Sequence, residues 1–235
     1  MRYLIDKLSI ENNLSQEELE VLLTNLTEED RDYLIEKAYE TRKEHYGNTV
    51  FFRGLIEISN ICKCDCFYCG IRASNKKANR YRLSKEEILE CCHTGYSLGY
   101  RTFVFQGGED AYFSDEILES VIKTLKTRYS DIAITLSLGE RGTKSFKRLY
   151  EAGADRYLLR HETVNEELYG KLHPNMSLKN RKECLESLKA IGYQVGSGFL
   201  IGLPGLKLID YAKDLVFLKE LRPHMVGIGP FIPHE

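Results

Sequence analysis

Apolar and polar positions recur along this chain with two different periods. Over residues 1–48 the period is helical. Leu19, Leu22 and Leu23, then Leu34, Ala38 and Tyr39, fall three and four residues apart in a strongly charged background, so each segment presents one apolar stripe. Ser15-Gln16-Glu17-Glu18 and Thr27-Glu28-Glu29-Asp30 stand ahead of these stripes as helix starts, and in the first the serine and glutamate side chains can satisfy free backbone N–H groups reciprocally. The segment reads as an amphipathic helical cap docked on a main domain spanning 49–235, with a separate partner-binding module as the alternative.

After the cap, short apolar runs take over: Gly54 to Ser59, Thr102 to Gln106, Ala133 to Ser137, Tyr157 to His161, Val195 to Ile201 and Met225 to Gly229. Between them lie helical patterns near 84–98, 114–128, 143–152, 177–191 and 207–221. Ser84 with Glu87 forms another capping box, and Gly99, Gly153 and Gly192 sit where a left-handed residue ends a helix. Strands alternating with helices imply an α/β fold of parallel strands joined by crossovers. Polar and glycine-rich residues collect after each strand in turn, as they do around the mouth of a barrel, and no G-x-G-x-x-G phosphate turn follows any strand. The expected architecture is therefore a partial TIM-type (β/α)6 barrel rather than a doubly wound sheet.

Composition narrows the function. Thirty-three basic and 35 acidic residues leave a formal charge of −2, which gives no electrostatic footprint for nucleic acid. The start lacks an apolar signal core and no apolar run reaches membrane-spanning length, so a cytoplasmic protein without membrane contact is expected. Seven cysteines, four of them crowded between Cys62 and Cys69, suit metal binding in a reducing compartment better than a disulfide framework.

Those four follow the first strand, in Asn60-Ile61-Cys62-Lys63-Cys64-Asp65-Cys66-Phe67-Tyr68-Cys69-Gly70. Cys62, Cys66 and Cys69 have the spacing C-x3-C-x2-C. Three thiolates on one loop can hold three irons of a cubane 4Fe-4S cluster and leave the fourth without a protein ligand. The other reading is a structural zinc knot, but zinc sites usually use two separated C-x2-C pairs, and here only Cys66 and Cys69 form one. Cys64 is either a spare thiol or a competing ligand.

The spacing, with Tyr68 before the third cysteine, resembles the signature of the radical S-adenosylmethionine (SAM) enzymes. The resemblance implies that the open iron chelates the amino and carboxylate groups of SAM and that an electron from the cluster releases a 5'-deoxyadenosyl radical. An external electron donor and an anaerobic setting follow. The strand ends then acquire roles. Gly107-Gly108-Glu109, after the second strand, resembles the motif that meets the methionine amino group, against an ordinary glycine turn as the alternative. Ser137 stands at the mouth of the third strand. Glu162 can accept both hydroxyls of a ribose, Arg181 offers a fork for the carboxylate or else is an ordinary solvated arginine, and His161 reads as a packed, hydrogen-bonded histidine. Ile201 and Gly202, with Tyr68, would wall the adenine.

The runs Thr-Leu-Ser-Leu-Gly-Glu (135–140), Ala-Gly-Ala-Asp-Arg-Tyr-Leu-Leu-Arg-His-Glu (152–162) and Val-Gly-Ile-Gly-Pro-Phe-Ile-Pro-His (226–234) are similar, within the biotin synthase-like group, to the FeFe-hydrogenase maturases. That likeness implies H-cluster maturation on a small organometallic substrate, other hydrogenase maturases as partners, and a complete (β/α)8 barrel of which six units are expected here. Methylornithine synthase shares the cluster and SAM motifs. Biotin synthase needs further cysteines inside the barrel, whereas Cys91, Cys92 and Cys184 fall on predicted helices. From a different class, a non-catalytic iron-sulfur or zinc-binding protein also fits the cysteines.

Overall fold

The computed structural model describes residues 1–234. Three helices come first, α1 (Arg2–Glu11), α2 (Gln16–Asn25) and α3 (Glu28–Tyr46). Strands and helices then alternate as β1 (Gly54–Ser59), α4 (Lys85–Ser97), β2 (Thr102–Gly107), α5 (Asp115–Arg128), β3 (Ala133–Ser137), α6 (Thr143–Glu151), β4 (Arg156–Leu158), α7 (Glu166–Leu172), α8 (Leu178–Ile191), β5 (Gln194–Ser197), β6 (Leu200–Ile201), α9 (Leu208–Leu221), β7 (Met225–Val226) and β8 (Gly229–Pro230). Ser15, Thr27 and Ser84 each cap a helix with a complete capping box. Gly99, Gly153 and Gly192 all adopt positive φ just past a helix end.

Six strands pair in parallel in the order β1-β2-β3-β4-β5-β7, and β6 pairs with β8 separately. A doubly wound sheet reverses its direction of growth at a switch point. Here the six strands of the main sheet follow one another in chain order with no reversal, as in a barrel. The core lies between this sheet and α4, α5, α6 and α8. Phe103, Phe105, Ile134 and Leu136 project from the strands to meet Ile122, Leu125, Phe146 and Leu185, all buried. Tyr157 and Tyr193 extend the packing edge-to-face and place their hydroxyls on the Gly139 and Phe146 carbonyls at 2.9 and 2.8 Å, so neither buried phenol is left unsatisfied.

Three expectations change. The fourth strand covers only Arg156–Leu158, so His161 and Glu162 lie in the bend beyond it. The runs ending at Ile201 and Gly229 are each broken in two, because Gly198 packs directly on the Gly227 backbone and the chain pivots there before β6 and β8 resume pairing. In α3 the stripe fails after Leu34: Ala38 and Tyr39 are exposed. That part of α3 diverges from α1 and leaves a groove of about 990 Å³ lined by Ile5, Leu8, Ala38 and Tyr46. The N-terminal helices share a small core of Leu4, Ile5, Leu14 and Leu22, while α2 lies against α9 and Lys219 donates to Asn13 just before it. No described helix is long and apolar enough to cross a membrane.

A side chain at Gly198 has nowhere to go, since its Cβ would collide with the Gly227 carbonyl oxygen. Gly198→Ala is expected to cost about 3 kcal/mol or more by forcing β5 and β7 apart. Urea unfolding followed by far-UV circular dichroism would show a matching fall in midpoint; an unchanged midpoint would contradict this packing.

Candidate functional site

The cysteine loop leaves β1 without regular structure, so its shape depends on side chains that tie up its backbone. Arg80 does most of this. Its guanidinium donates to the carbonyls of Asn60, Ile71, Arg72 and Asn75 at 2.5 to 3.0 Å. The Ala73 N–H returns to the Cys64 carbonyl at 2.9 Å, and the Phe67 N–H donates to the Leu172 carbonyl at the end of α7 at 3.0 Å. At the root of the loop, buried Asp110 accepts two bonds from Arg82 at 2.6 and 2.8 Å and one from the Ser59 hydroxyl at 2.7 Å, joining the ends of β1 and β2.

Gly107-Gly108-Glu109 follows β2 and touches the loop directly. A Cβ on Gly108 would collide with the Ile61 carbonyl oxygen and lie 2.6 Å from Cys62 Cβ. The closeness lets the Glu109 N–H point at Cys62 Sγ (3.3 Å), beside the Cys64 N–H (3.4 Å), while the Lys63 N–H donates to the Glu109 carbonyl at 3.1 Å. Glu109 keeps its carboxylate at home: Oε1 accepts the Glu140 N–H at 2.8 Å and Oε2 pairs with Lys63 at 3.1 Å. Glu109 thus braces the turn with its side chain and leaves the second lone pairs of its backbone carbonyls for a ligand.

None of the seven cysteines is in a disulfide. Burial pushes the Cys66 thiol up to about 12, with the Cys69 charge adding to it and Arg181 opposing. Burial raises Cys69 as well, and Cys62 adds to that. Cys62 moves the other way, because the Cys64 thiol and the two N–H groups donate to its sulfur; that same bond to Cys62 raises Cys64. Three thiols close enough to repel one another as thiolates ionise together only against bound positive charge. Among the described residues no three His, Cys, Asp or Glu side chains converge on one metal ion. In a cubane each thiolate would meet a different iron, so the three cysteines need not converge on one ion. A cleft of about 930 Å³ borders the loop at Lys63, Cys64 and Asp65 rather than at the three motif thiols, with Glu140 also in its lining.

Beyond the cysteines, burial raises the Tyr68 hydroxyl, followed by the charges of Glu162 and Cys66, so these three groups share one neighbourhood. Glu162 is 6% exposed and sits at φ 65, an uncommon conformation for a residue with a side chain. Its N–H donates to the Gly198 carbonyl and its own carbonyl accepts from Leu200, which fixes the turn. Oε1 lies 3.2 Å from Arg160, but Oε2 is buried with no partner. An unpaired buried carboxylate oxygen is costly, and ribose hydroxyls are the kind of donor that would satisfy it. Burial raises this carboxyl, against Arg160 and Arg181.

Arg181 is buried rather than solvated, with Nε on Glu140 at 2.6 Å and Nη1 on the Arg160 carbonyl at 2.8 Å. Only part of its fork remains for a carboxylate. His161 is fully buried and bonded to the Ser197 hydroxyl at 3.0 Å, as its packed reading requires. Ser137 pairs in register with Gln106, one residue before Gly107. Ile201 is 46% exposed and Gly202, at φ 85, has open space where a Cβ would be, so these two leave a vacant apolar edge. Arg80, Asp110 and His173 were not singled out by the sequence. Arg80 lies in a polar loop with no periodicity, and α7, which carries His173 at its end, is too short to show a helical stripe.

Gly108→Ala should separate the turn from the loop, with about 1 to 3 kcal/mol of strain. After anaerobic reconstitution with iron and sulfide, that variant is expected to retain most of its helix signal but lose most of its iron. Full iron loading would contradict the close packing of Gly108 on Cys62.

The family model of the radical SAM superfamily matches residues 56–218. The chain is 45% identical over 218 residues to the [FeFe] hydrogenase maturase subunit HydE of Thermotoga maritima, spanning 92% of this chain and 62% of that protein. It is 32% identical to a 3-methylornithine synthase of Methanosarcina acetivorans, over 94% of this chain and 63% of the relative. The chain thus spans less than two thirds of these relatives. The crystal structure of methylornithine synthase superposes with a TM-score of 0.91 at 30% identity, covering 99% of this chain and 68% of that one. The hydrogenase maturase HydG of Carboxydothermus hydrogenoformans gives 0.85 at 27% identity, covering 99% and 56%. With the family model matched across most of the strand and helix repeats, the chain belongs to the radical SAM superfamily, whose chemistry joins an iron-sulfur cluster to S-adenosylmethionine.

Proposed function

We propose that Cys62, Cys66 and Cys69 hold three irons of a 4Fe-4S cluster, that SAM takes the fourth, and that the protein acts in maturation of the FeFe-hydrogenase H-cluster. When bound, the cluster and SAM supply reductive cleavage of the sulfonium to a 5'-deoxyadenosyl radical. What carries the reading is the orphaned Oε2 of Glu162, buried beside Tyr68 and within electrostatic reach of Cys69. Glu162 holds the ribose through that oxygen, and Arg181, fixed by Glu140, offers its remaining N–H groups to the carboxylate. Gly107, Gly108 and Glu109 present backbone carbonyls to the amino group. Ser137 lends its hydroxyl, and Ile201, Gly202 and Tyr68 exclude water from the adenine.

The maturase assignment rests on the 45% identity to HydE, against 32% to methylornithine synthase. The latter is the second reading, supported by the TM-score of 0.91. In the first, the substrate is a small cysteine-bound iron carbonyl-cyanide species, electrons come from an external donor, and the other hydrogenase maturases are partners. Residues 1–48 serve as a helical cap on a core of 49–235.

Anaerobically reconstituted protein given SAM and dithionite is expected to release 5'-deoxyadenosine. Cys66→Ala should release none, because two thiolates do not retain the open cubane; turnover in that variant would remove Cys66 from the ligand set. Glu162→Gln should raise the SAM dissociation constant about tenfold, worth about 1.4 kcal/mol, with cluster absorption intact. Unchanged affinity would dismiss Glu162 from the ribose role. Addition of a synthetic cysteine-bound iron carbonyl-cyanide complex should increase the 5'-deoxyadenosine yield, and an equal yield without it would count against the maturase reading.

A further inference from the structure

Between Glu162 and Arg181 the chain forms α7, and its C-terminal end meets the cysteine loop at two points. The Leu172 carbonyl accepts the Phe67 N–H at 3.0 Å, and Tyr68 Oη lies 2.9 Å from His173 Nε2. The His173 ring is 1% exposed, stacks on Tyr169 with centroids 3.9 Å apart, and places Nδ1 2.9 Å from the Tyr169 carbonyl. A carbonyl only accepts, so Nδ1 must carry the hydrogen, and Nε2 is left as a lone pair. Tyr68 is therefore the donor. Its ring meets His173 edge-on at 5.2 Å, so both the hydroxyl and the ring are fixed from one side.

We propose that His173 is a positioning residue for SAM: its Nε2 lone pair anchors the Tyr68 hydroxyl and holds the aromatic wall of the site in place between the cluster loop and Glu162. The inference rests on the cluster and SAM assignment made above. Two observations set it apart from ordinary packing. The tautomer is imposed by a backbone carbonyl, which makes the acceptor permanent, and burial lowers His173 to about 4, so the lone pair survives at working pH. Moreover, α7 begins four residues after Glu162, so one short helix links the ribose carboxylate to the aromatic of the cysteine motif. A wall fixed before SAM arrives spares the ordering cost at binding.

The test uses the anaerobically reconstituted chain as Tyr68→Phe, His173→Ala, His173→Gln and the Tyr68→Phe/His173→Ala double variant. Iron content and cluster absorption are measured first, then the SAM dissociation constant by isothermal titration calorimetry. Tyr68→Phe and His173→Ala should each keep the cluster and weaken SAM about tenfold, the worth of one buried hydrogen bond. The double variant should be no weaker than either single one, because both remove the same bond. His173→Gln, whose amide oxygen can replace Nε2 as acceptor, should recover most of the affinity. Additive losses, an equal loss in the Gln and Ala variants, unchanged affinity throughout, or cluster loss in His173→Ala would each overturn the proposal in favour of a packing role. Failure of the unmutated protein to bind SAM would instead overturn the cluster and SAM reading, and this inference with it.

Discussion

The contact on which the site depends is the one between two strand ends, where Gly108 lies against Ile61 and Cys62 with no room for a side chain. From it follow the Glu109 N–H to Cys62 Sγ, the Lys63 N–H to the Glu109 carbonyl, and the placing of the first motif thiol over β2. Parallel pairing makes this possible, because consecutive strands of the sheet end on the same rim and deliver their loops side by side. The Asp110 clamp on Arg82 and Ser59 then keeps those two rims from separating.

Around that contact the molecule sets buried charge against buried charge. Arg181 is held by Glu140 and the Arg160 carbonyl, Glu162 is paired through only one oxygen, and the thiols repel one another. A site of this kind is poorly satisfied without its ligands, and the cost is carried by the well-packed layer of Phe105, Leu136, Phe146 and Tyr157 beneath it. The strain at Glu162, with φ 65, lies at the same place.

Much of the fold was legible because its signals are local. Capping boxes at Ser15 and Ser84, and the glycines ending α4, α6 and α8, located helix ends to within a residue or two. Alternation made the strands parallel, and the polar, glycine-rich strand ends together with the missing G-x-G-x-x-G turn pointed to their barrel order. What escaped depends on tertiary contact: the pivot at Gly198 is set by the Gly227 backbone, which lies far along the chain, and Ala38 and Tyr39 are apolar in pattern yet exposed. In the site, the cysteine spacing and the glycine pair were readable as motifs. Whether Arg181 was buried, and that Arg80 and His173 brace the loop, was not, since a lone arginine or histidine looks the same in a polar stretch whether it points inward or outward.

The central claim is a cluster with one iron open to SAM. Electron paramagnetic resonance of the reconstituted, dithionite-reduced protein, recorded before and after SAM is added, tests it most directly. The account predicts a reduced 4Fe-4S signal whose g values shift on addition of SAM. A signal that SAM leaves unchanged, or protein that takes up zinc and no iron, would contradict it.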